Sequence, residues 1–138
     1  MRVSLFYLQQ NKAKNADAFE EHYLKKIKQN MDLKIVCITN KKKFSSKEQH
    51  IEYEGSLIKN KIGNEKYICF DKQGEKVSSE SFANMIYNSN GNVNLIVGGA
   101  FGLADSVLNS ATKIISFSDM EFSHEVFRVM LLEQVYRA

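Results

Sequence analysis

Five short apolar or β-branched runs, Val3–Tyr7, Leu33–Ile38, Tyr67–Phe70, Val93–Val97 and Lys113–Phe117, alternate along the chain with segments of helical spacing. A strand, a helix and a further strand in succession make a crossover connection, which lays the two strands side by side in parallel. The alternation therefore implies an α/β fold built on a mostly parallel sheet. No proline and no Gly/Ser-rich stretch marks an internal boundary, and 138 residues suit one domain, 1–138, around a single core.

The helical segments carry their own signals. Phe19, Tyr23 and Ile27 fall four apart within Asp17–Gln29, on one helical face. Ser45 with Glu48, or Ser46 with Gln49, has capping-box spacing and announces a second helix whose buried stripe is Ile51, Ile58 and Ile62, with Gly55 on the same side. Ser78 or Ser79 is placed to cap a third helix carrying Phe82 and Ile86, after the turn-forming Asp71–Gly74 closes the third strand. A short helix is expected around Asp105–Asn109. From His124 onward the chain is apolar nearly all round, so part of that last helix is expected to pack against a second subunit.

Several classes are excluded or disfavoured. No stretch approaches the roughly 18 apolar residues of a membrane span, and the opening MRVSLFYLQQNK reads as a first strand rather than a signal peptide, which implies a cytoplasmic protein with no membrane partner. Cys37 and Cys69 lie within apolar runs and are expected as buried free thiols, not as a disulfide or a metal pair. The formal charge of +3 is unevenly spread: residues 1–76 carry 16 Lys/Arg against 10 Asp/Glu, and residues 77–138 carry 3 against 6. A polyanion would therefore meet the first half. Lys41, Lys42, Lys43 and Lys47 around Phe44 form the densest basic cluster, equally readable as an RNA surface or a solvated loop.

In a parallel sheet, ligands sit beyond the carboxyl ends of the strands, which selects the loops after Phe70, Val97 and Phe117. Gly98-Gly99-Ala100-Phe101-Gly102 would let main-chain groups approach a ligand, and a branched side chain at Gly98 is expected to occupy the ligand's space. This run is neither the dinucleotide fingerprint nor a P-loop, which weakens oxidoreductase and NTPase readings. Phe117–His124, FSDMEFSH, mixes aromatic, thioether and hydroxyl groups as a small-molecule pocket does, with His124 placed to cap the terminal helix. No further His or Cys stands at metal-ligand spacing and no Ser/His/Asp arrangement is evident, so no metal is expected.

Ile96–Leu103 (IVGGAFGL), Ser116–His124 (SFSDMEFSH) and Arg128–Ala138 (RVMLLEQVYRA), with Phe70–Gly74 and Ser78–Ala83 upstream, resemble the bacterial rRNA large-subunit methyltransferase H family of the SPOUT class over nearly the whole chain. The resemblance implies a sheet with helices on both faces, a C-terminal trefoil knot, and a homodimer formed through the C-terminal helix. It further implies S-adenosylmethionine-dependent methylation of N3 of a pseudouridine in 23S rRNA within the ribosome. By motif position it places cofactor contacts at Phe70, Gly98, Phe117, Ser118, Asp119, Met120, Glu121 and Phe122. His124 and Arg128 are the candidates for organising catalysis, and Lys41, Lys42, Lys43 and Lys47 for holding RNA. Asp119 stands where the family commonly has Lys, and Ser123 where it has Pro. The sequence ends at Ala138, ahead of the family's Tyr-His-Lys or Tyr-His-Arg tail. The alternative is thus an impaired or truncated relative that binds S-adenosylmethionine or RNA as an accessory module. A small α/β interaction domain with ordinary turn glycines is the third reading.

Overall fold

The computed structural model describes residues 1–9, 17–99 and 101–138; the side chains of Gln9, Asp17, Ala18 and Phe19 and the whole of Ala100 lie outside that description. Five strands, β1 (Arg2–Gln9), β2 (Asp32–Thr39), β3 (Ile68–Lys76), β4 (Asn92–Val97) and β5 (Lys113–Ser116), form one sheet in the order β2-β1-β4-β3-β5. Every pairing is parallel. Five helices connect or follow them: α1 (Asp17–Ile27), α2 (Lys47–Ile62), α3 (Ser79–Tyr87), α4 (Asp105–Asn109) and α5 (His124–Arg137).

Side chains alternate across each strand, so the sheet feeds two cores. Val3, Leu5 and Tyr7 of β1 with Val93, Leu95 and Val97 of β4 face a core completed by Ile27 of α1, Phe82 and Ile86 of α3, and Leu131, Leu132 and Val135 of α5. Phe6, Leu8, Cys69 and Ile96 face the other, completed by Ile58 and Ile62 of α2 and Val107 of α4. Helices thus cover both faces. A central strand covered twice has no solvent side to show, which is why β4 is mostly apolar and why its one inner polar residue, buried Asn94, donates to the Lys66 carbonyl at 2.9 Å.

The caps resolve the alternatives in the sequence. Ser46 accepts from the Gln49 backbone N–H at the start of α2, and Ser78 forms a reciprocal box with Ser81 on α3. Ser123, not His124, caps α5, accepting from the Val126 N–H at 3.3 Å.

Two expectations are corrected. Asp71–Gly74 does not end the third strand. Asp71 Oδ2 does accept from the Gln73 N–H at 3.0 Å, so the turn chemistry is real, but the chain bulges out and returns: Ile115 of β5 faces Phe70 before the bulge and Glu75 after it. Gly74 makes the return possible, because a Cβ there would lie 2.7 Å from both the Ile114 carbonyl carbon and the Ile115 nitrogen. Cys37, expected buried, is exposed on edge strand β2, whereas Cys69 is buried as expected. An edge strand is flanked and covered less than the central ones, and apolar composition alone does not report that.

Candidate functional site

The turns after β4 and β5 and the bulge in β3 converge at the carboxyl end of the sheet around a cavity of about 410 Å³. Parallel register brings this about: Tyr7, Val97, Phe70 and Ile115 stand in one row across β1, β4, β3 and β5, and the loops leave from there.

The floor is aromatic. Phe70 packs edge-to-face on Phe117 and Phe127, with ring centroids 5.2 and 5.3 Å apart, and Phe117 meets Phe127 at 5.4 Å. Offset and edge-to-face pairs of this kind hold one another's orientation, so the floor is preformed. The glycine turn makes one wall. Its ends meet in a bridge between Gly99 and Gly102, the Gly102 N–H donates to the Gly99 carbonyl at 3.1 Å, and Gly102 takes φ +88°, a left-handed conformation open to glycine. The opposite wall is the segment between β5 and α5, ordered by its serines. Ser116 Oγ donates to the Ser118 carbonyl and accepts from the Ser118 N–H, while Ser118 Oγ accepts from the Met120 N–H at 3.0 Å. Met120 and Phe122 are left 71% and 38% exposed at the mouth.

Two ion pairs tie that segment to the β3 bulge: Lys72 Nζ lies 2.8 Å from Glu121 Oε1, and Lys76 pairs with Asp119. The hydrogen bond and charge of Lys72 hold the Glu121 carboxyl below its ordinary range, and Glu121 raises the Lys72 ammonium in return. All four side chains are well exposed, so each pair stabilises little by itself.

Of the residues singled out from the sequence, Phe70, Gly98, Phe117, Ser118, Met120, Glu121, Phe122, His124 and Lys47 line the cavity. Asp119 does not, being turned to Lys76. Lys41, Lys42 and Lys43 lie exposed on the loop that enters α2. Arg128 is not brought to the cavity: it is buried, its Nε 3.0 Å from Glu20 Oε1 of α1 and its guanidinium 4.3 Å from the centre of the Tyr7 ring. Burial pushes the Tyr7 phenol well up, so it stays protonated beside that guanidinium. The expectation for Gly98 also changes. A Cβ there would meet Leu103 Cγ at 2.8 Å, inside the protein rather than in the cavity, so the glycine is needed for packing of the turn and presents main chain to the ligand space.

Sequence reasoning missed Lys72 and Phe101 as cavity residues. Lys72 was hidden in an apparent turn. Phe101 lay within the quoted glycine run, and its 46% exposure, unusual for a phenylalanine, depends on the turn's geometry. The buried set Asn40, His50 and Glu54 behind the glycine turn was also missed, since polar residues in a helix read as a solvated face.

Among the described residues, no three His, Cys, Asp or Glu side chains gather as a metal site, and no helix is long and apolar enough to cross a membrane. The arrangement offers an aromatic floor, main-chain polar groups on a glycine wall and a few side-chain hydroxyls and charges at the rim. That set suits a flat heteroaromatic ligand with a polar extension, and 410 Å³ lies in the range of small-molecule sites.

A parallel α/β sheet whose strand-end turns enclose a cavity defines the class of α/β proteins that bind a small molecule at the carboxyl end of the sheet, and comparison with known proteins makes it specific. The family described as "Predicted SPOUT methyltransferase" matches residues 1–138. The chain belongs to that family. A relative from Clostridium botulinum (strain Loch Maree / Type A3), called ribosomal RNA large subunit methyltransferase H, is 38% identical over 148 aligned positions, covering 100% of this chain and 93% of that protein. One from Clostridium perfringens (strain SM101 / Type A), called ribosomal RNA large subunit methyltransferase H 1, is 36% identical with the same coverage. The fold also resembles a tRNA (m1G37) methyltransferase from Aquifex aeolicus, at TM-score 0.59 and 13% identity over 99% of this chain and 70% of that one. A putative methylase family protein from Neisseria gonorrhoeae matches at TM-score 0.51 and 11% identity, over 99% of this chain and 81% of the other.

Proposed function

We propose that this protein transfers a methyl group from S-adenosylmethionine to N3 of a pseudouridine in 23S rRNA of the large ribosomal subunit. It acts in the cytoplasm as a homodimer built through α5, with its C-terminal segment tied in a trefoil knot. The observation that carries the reading is the convergence of the β3 bulge and the turns after β4 and β5 on one aromatic-floored cavity, in a chain whose full-length relatives are named for this class of reaction.

The residues present fit the cofactor. Phe70 and Phe117 would cover an adenine ring, the Gly98–Gly99 main chain and the loop serines would meet its polar edge, and Glu121 with the exposed Met120 and Phe122 would border the remainder. When bound, S-adenosylmethionine supplies an activated methyl on a sulfonium, so the protein's tasks are orientation, water exclusion and removal of one proton. His124, exposed on the first turn of α5 and lining the cavity, would receive that proton from N3. Arg128 acts at a distance from the cavity: bound to Glu20 and stacked on Tyr7, it fixes α5, and with it His124, against α1 and β1. Lys47 at the rim and Lys41, Lys42 and Lys43 beyond it hold RNA phosphates while the base is splayed into the site.

The test is methyl incorporation from labelled S-adenosylmethionine into ribosomes purified from cells that lack the native enzyme, with the product located by mass spectrometry. Label at N3 of a 23S pseudouridine is the expected result. Cofactor binding without transfer to any ribosomal particle would refute the enzymatic reading in favour of an accessory module.

A further inference from the structure

Behind the glycine wall, α2 buries an acid and a histidine one helical turn apart. Glu54 is 2% exposed and His50 5%, and Asn40, at the end of β2, is 1% exposed. His50 Nε2 lies 2.8 Å from Glu54 Oε2, and Asn40 Nδ2 donates to that same oxygen at 3.2 Å. The other oxygen, Glu54 Oε1, has no hydrogen-bond partner among the described residues. It is aimed at the wall: a Cβ on Gly99 would sit 3.1 Å from it. A buried carboxylate with one satisfied and one spare oxygen is costly unless something requires it there.

The cluster touches both functional loops. The His50 ring meets Phe101 of the cavity edge-on with centroids 5.0 Å apart, and Phe101 in turn lies under the Lys47 ammonium at 5.9 Å. On its other side, Asn40 Oδ1 accepts from the Lys42 backbone N–H at 3.0 Å, which fixes the start of the basic loop. One hydrogen-bonded unit therefore contacts the cavity wall and the lysine run.

We propose that Asn40, His50 and Glu54 are positioning residues, a buried brace that sets Gly99 and Phe101 of the cavity wall for S-adenosylmethionine and holds the Lys41–Lys43 loop in register with them. This rests on the function proposed above. The carboxylate backs Gly99, the imidazole backs Phe101, and neither reaches the ligand space, since neither lines the cavity. The brace also accounts for glycine at 99, where a side chain would press on the buried carboxylate.

The test titrates S-adenosylmethionine calorimetrically into the full chain and into Glu54→Ala, Glu54→Gln, His50→Ala and His50→Gln, with thermal unfolding recorded for each. Glu54→Ala and His50→Ala are expected to weaken binding by about tenfold, as removal of one charge-assisted hydrogen bond would. Glu54→Gln keeps an acceptor for both partners and is expected to recover most of the affinity at a similar Tm, a rescue that a general loss of packing would not give. His50→Gln, which keeps a donor for Glu54 but loses the ring packed on Phe101, is expected to fold and to weaken binding several-fold, and so decides the matter if the alanine variants do not fold. Wild-type binding with all folded variants unchanged would overturn the brace and leave the proposed function standing. Absence of binding by the wild-type chain would overturn the proposed function, and the brace with it.

Discussion

Gly74→Ala separates two accounts of the Asp71–Gly74 segment. In an ordinary surface turn with negative φ, alanine would be neutral or slightly stabilising, because it restricts the unfolded chain. Here the new methyl would lie 2.7 Å from the Ile114 carbonyl carbon, 2.7 Å from the Ile115 nitrogen and 2.8 Å from the Ile114 oxygen. These are backbone atoms of β5 and cannot rotate away. The strand must lift, giving up the Glu75 and Lys76 pairing and the Val77 N–H bond to the Ser116 carbonyl at 3.2 Å. Overpacking at about 1–3 kcal/mol plus one or two ladder hydrogen bonds at about 1 kcal/mol each gives a loss of roughly 2–5 kcal/mol. For a domain of this size that is a fall of roughly 7–17 °C in Tm, read by circular dichroism at fixed protein concentration. The same lifting carries Lys72 and Lys76 away from Glu121 and Asp119, so affinity for S-adenosylmethionine should drop too. A variant within about 0.5 kcal/mol of wild type, with unaltered affinity, would show that the β3 return does not press on β5 and refute the reasoning.

Three further outcomes are expected. Changing Lys41, Lys42 and Lys43 together to Glu should weaken ribosome binding and lower the salt slope by roughly 0.7–0.9 for each phosphate no longer neutralised, measured by filter binding across salt concentrations; an unchanged slope would move the RNA surface elsewhere. Because Glu121 titrates below its ordinary range, its tether to Lys72 is fully present above the normal carboxylate pKa and is lost as pH falls through the depressed value. Carboxyl NMR titration should show the Glu121 midpoint rising towards normal in Lys72→Met, and no movement would mean the pair does not form in solution. With a thiol reagent at neutral pH, exposed Cys37 should react quickly and Cys69, whose thiol is pushed up to about 12 by burial and by the charge of Asp71, only on unfolding. Equal rates would contradict the placement of β2 and β3.

The succession of elements was readable because each depends on neighbours in sequence. Period-two and period-four apolar spacing marked the strands and the faces of α1 and α2, and hydroxyl residues marked the starts of α2 and α3. Strand order was not readable: β1 lies between β2 and β4, and β3 between β4 and β5, a choice made by which faces bury against which helices. The bulge at Asp71–Gly74 was missed because turn residues look the same whether or not the chain returns to its partner. For the site, glycine and aromatic residues in loops that follow strands pointed to the right end of the sheet. Arg128 was drawn to the cavity by its place in a motif, whereas the helical rotation of α5 turns it towards Glu20 and Tyr7. Polar character in helix α2 likewise concealed His50 and Glu54, whose burial follows from how closely α2 packs under the glycine turn.

The walls of the cavity are drawn from residues near 70, near 100 and near 120, so they come together only when β3, β4, β5 and the start of α5 have all taken their places. A molecule seated there spans three distant stretches at once and acts as a removable staple. Its binding energy opposes global unfolding rather than the fraying of any one loop, growing with the logarithm of free ligand above Kd. Resistance to proteolysis should therefore rise across those elements when such a ligand is plentiful and relax when it is scarce, which would link the lifetime of the protein to the supply of what it binds.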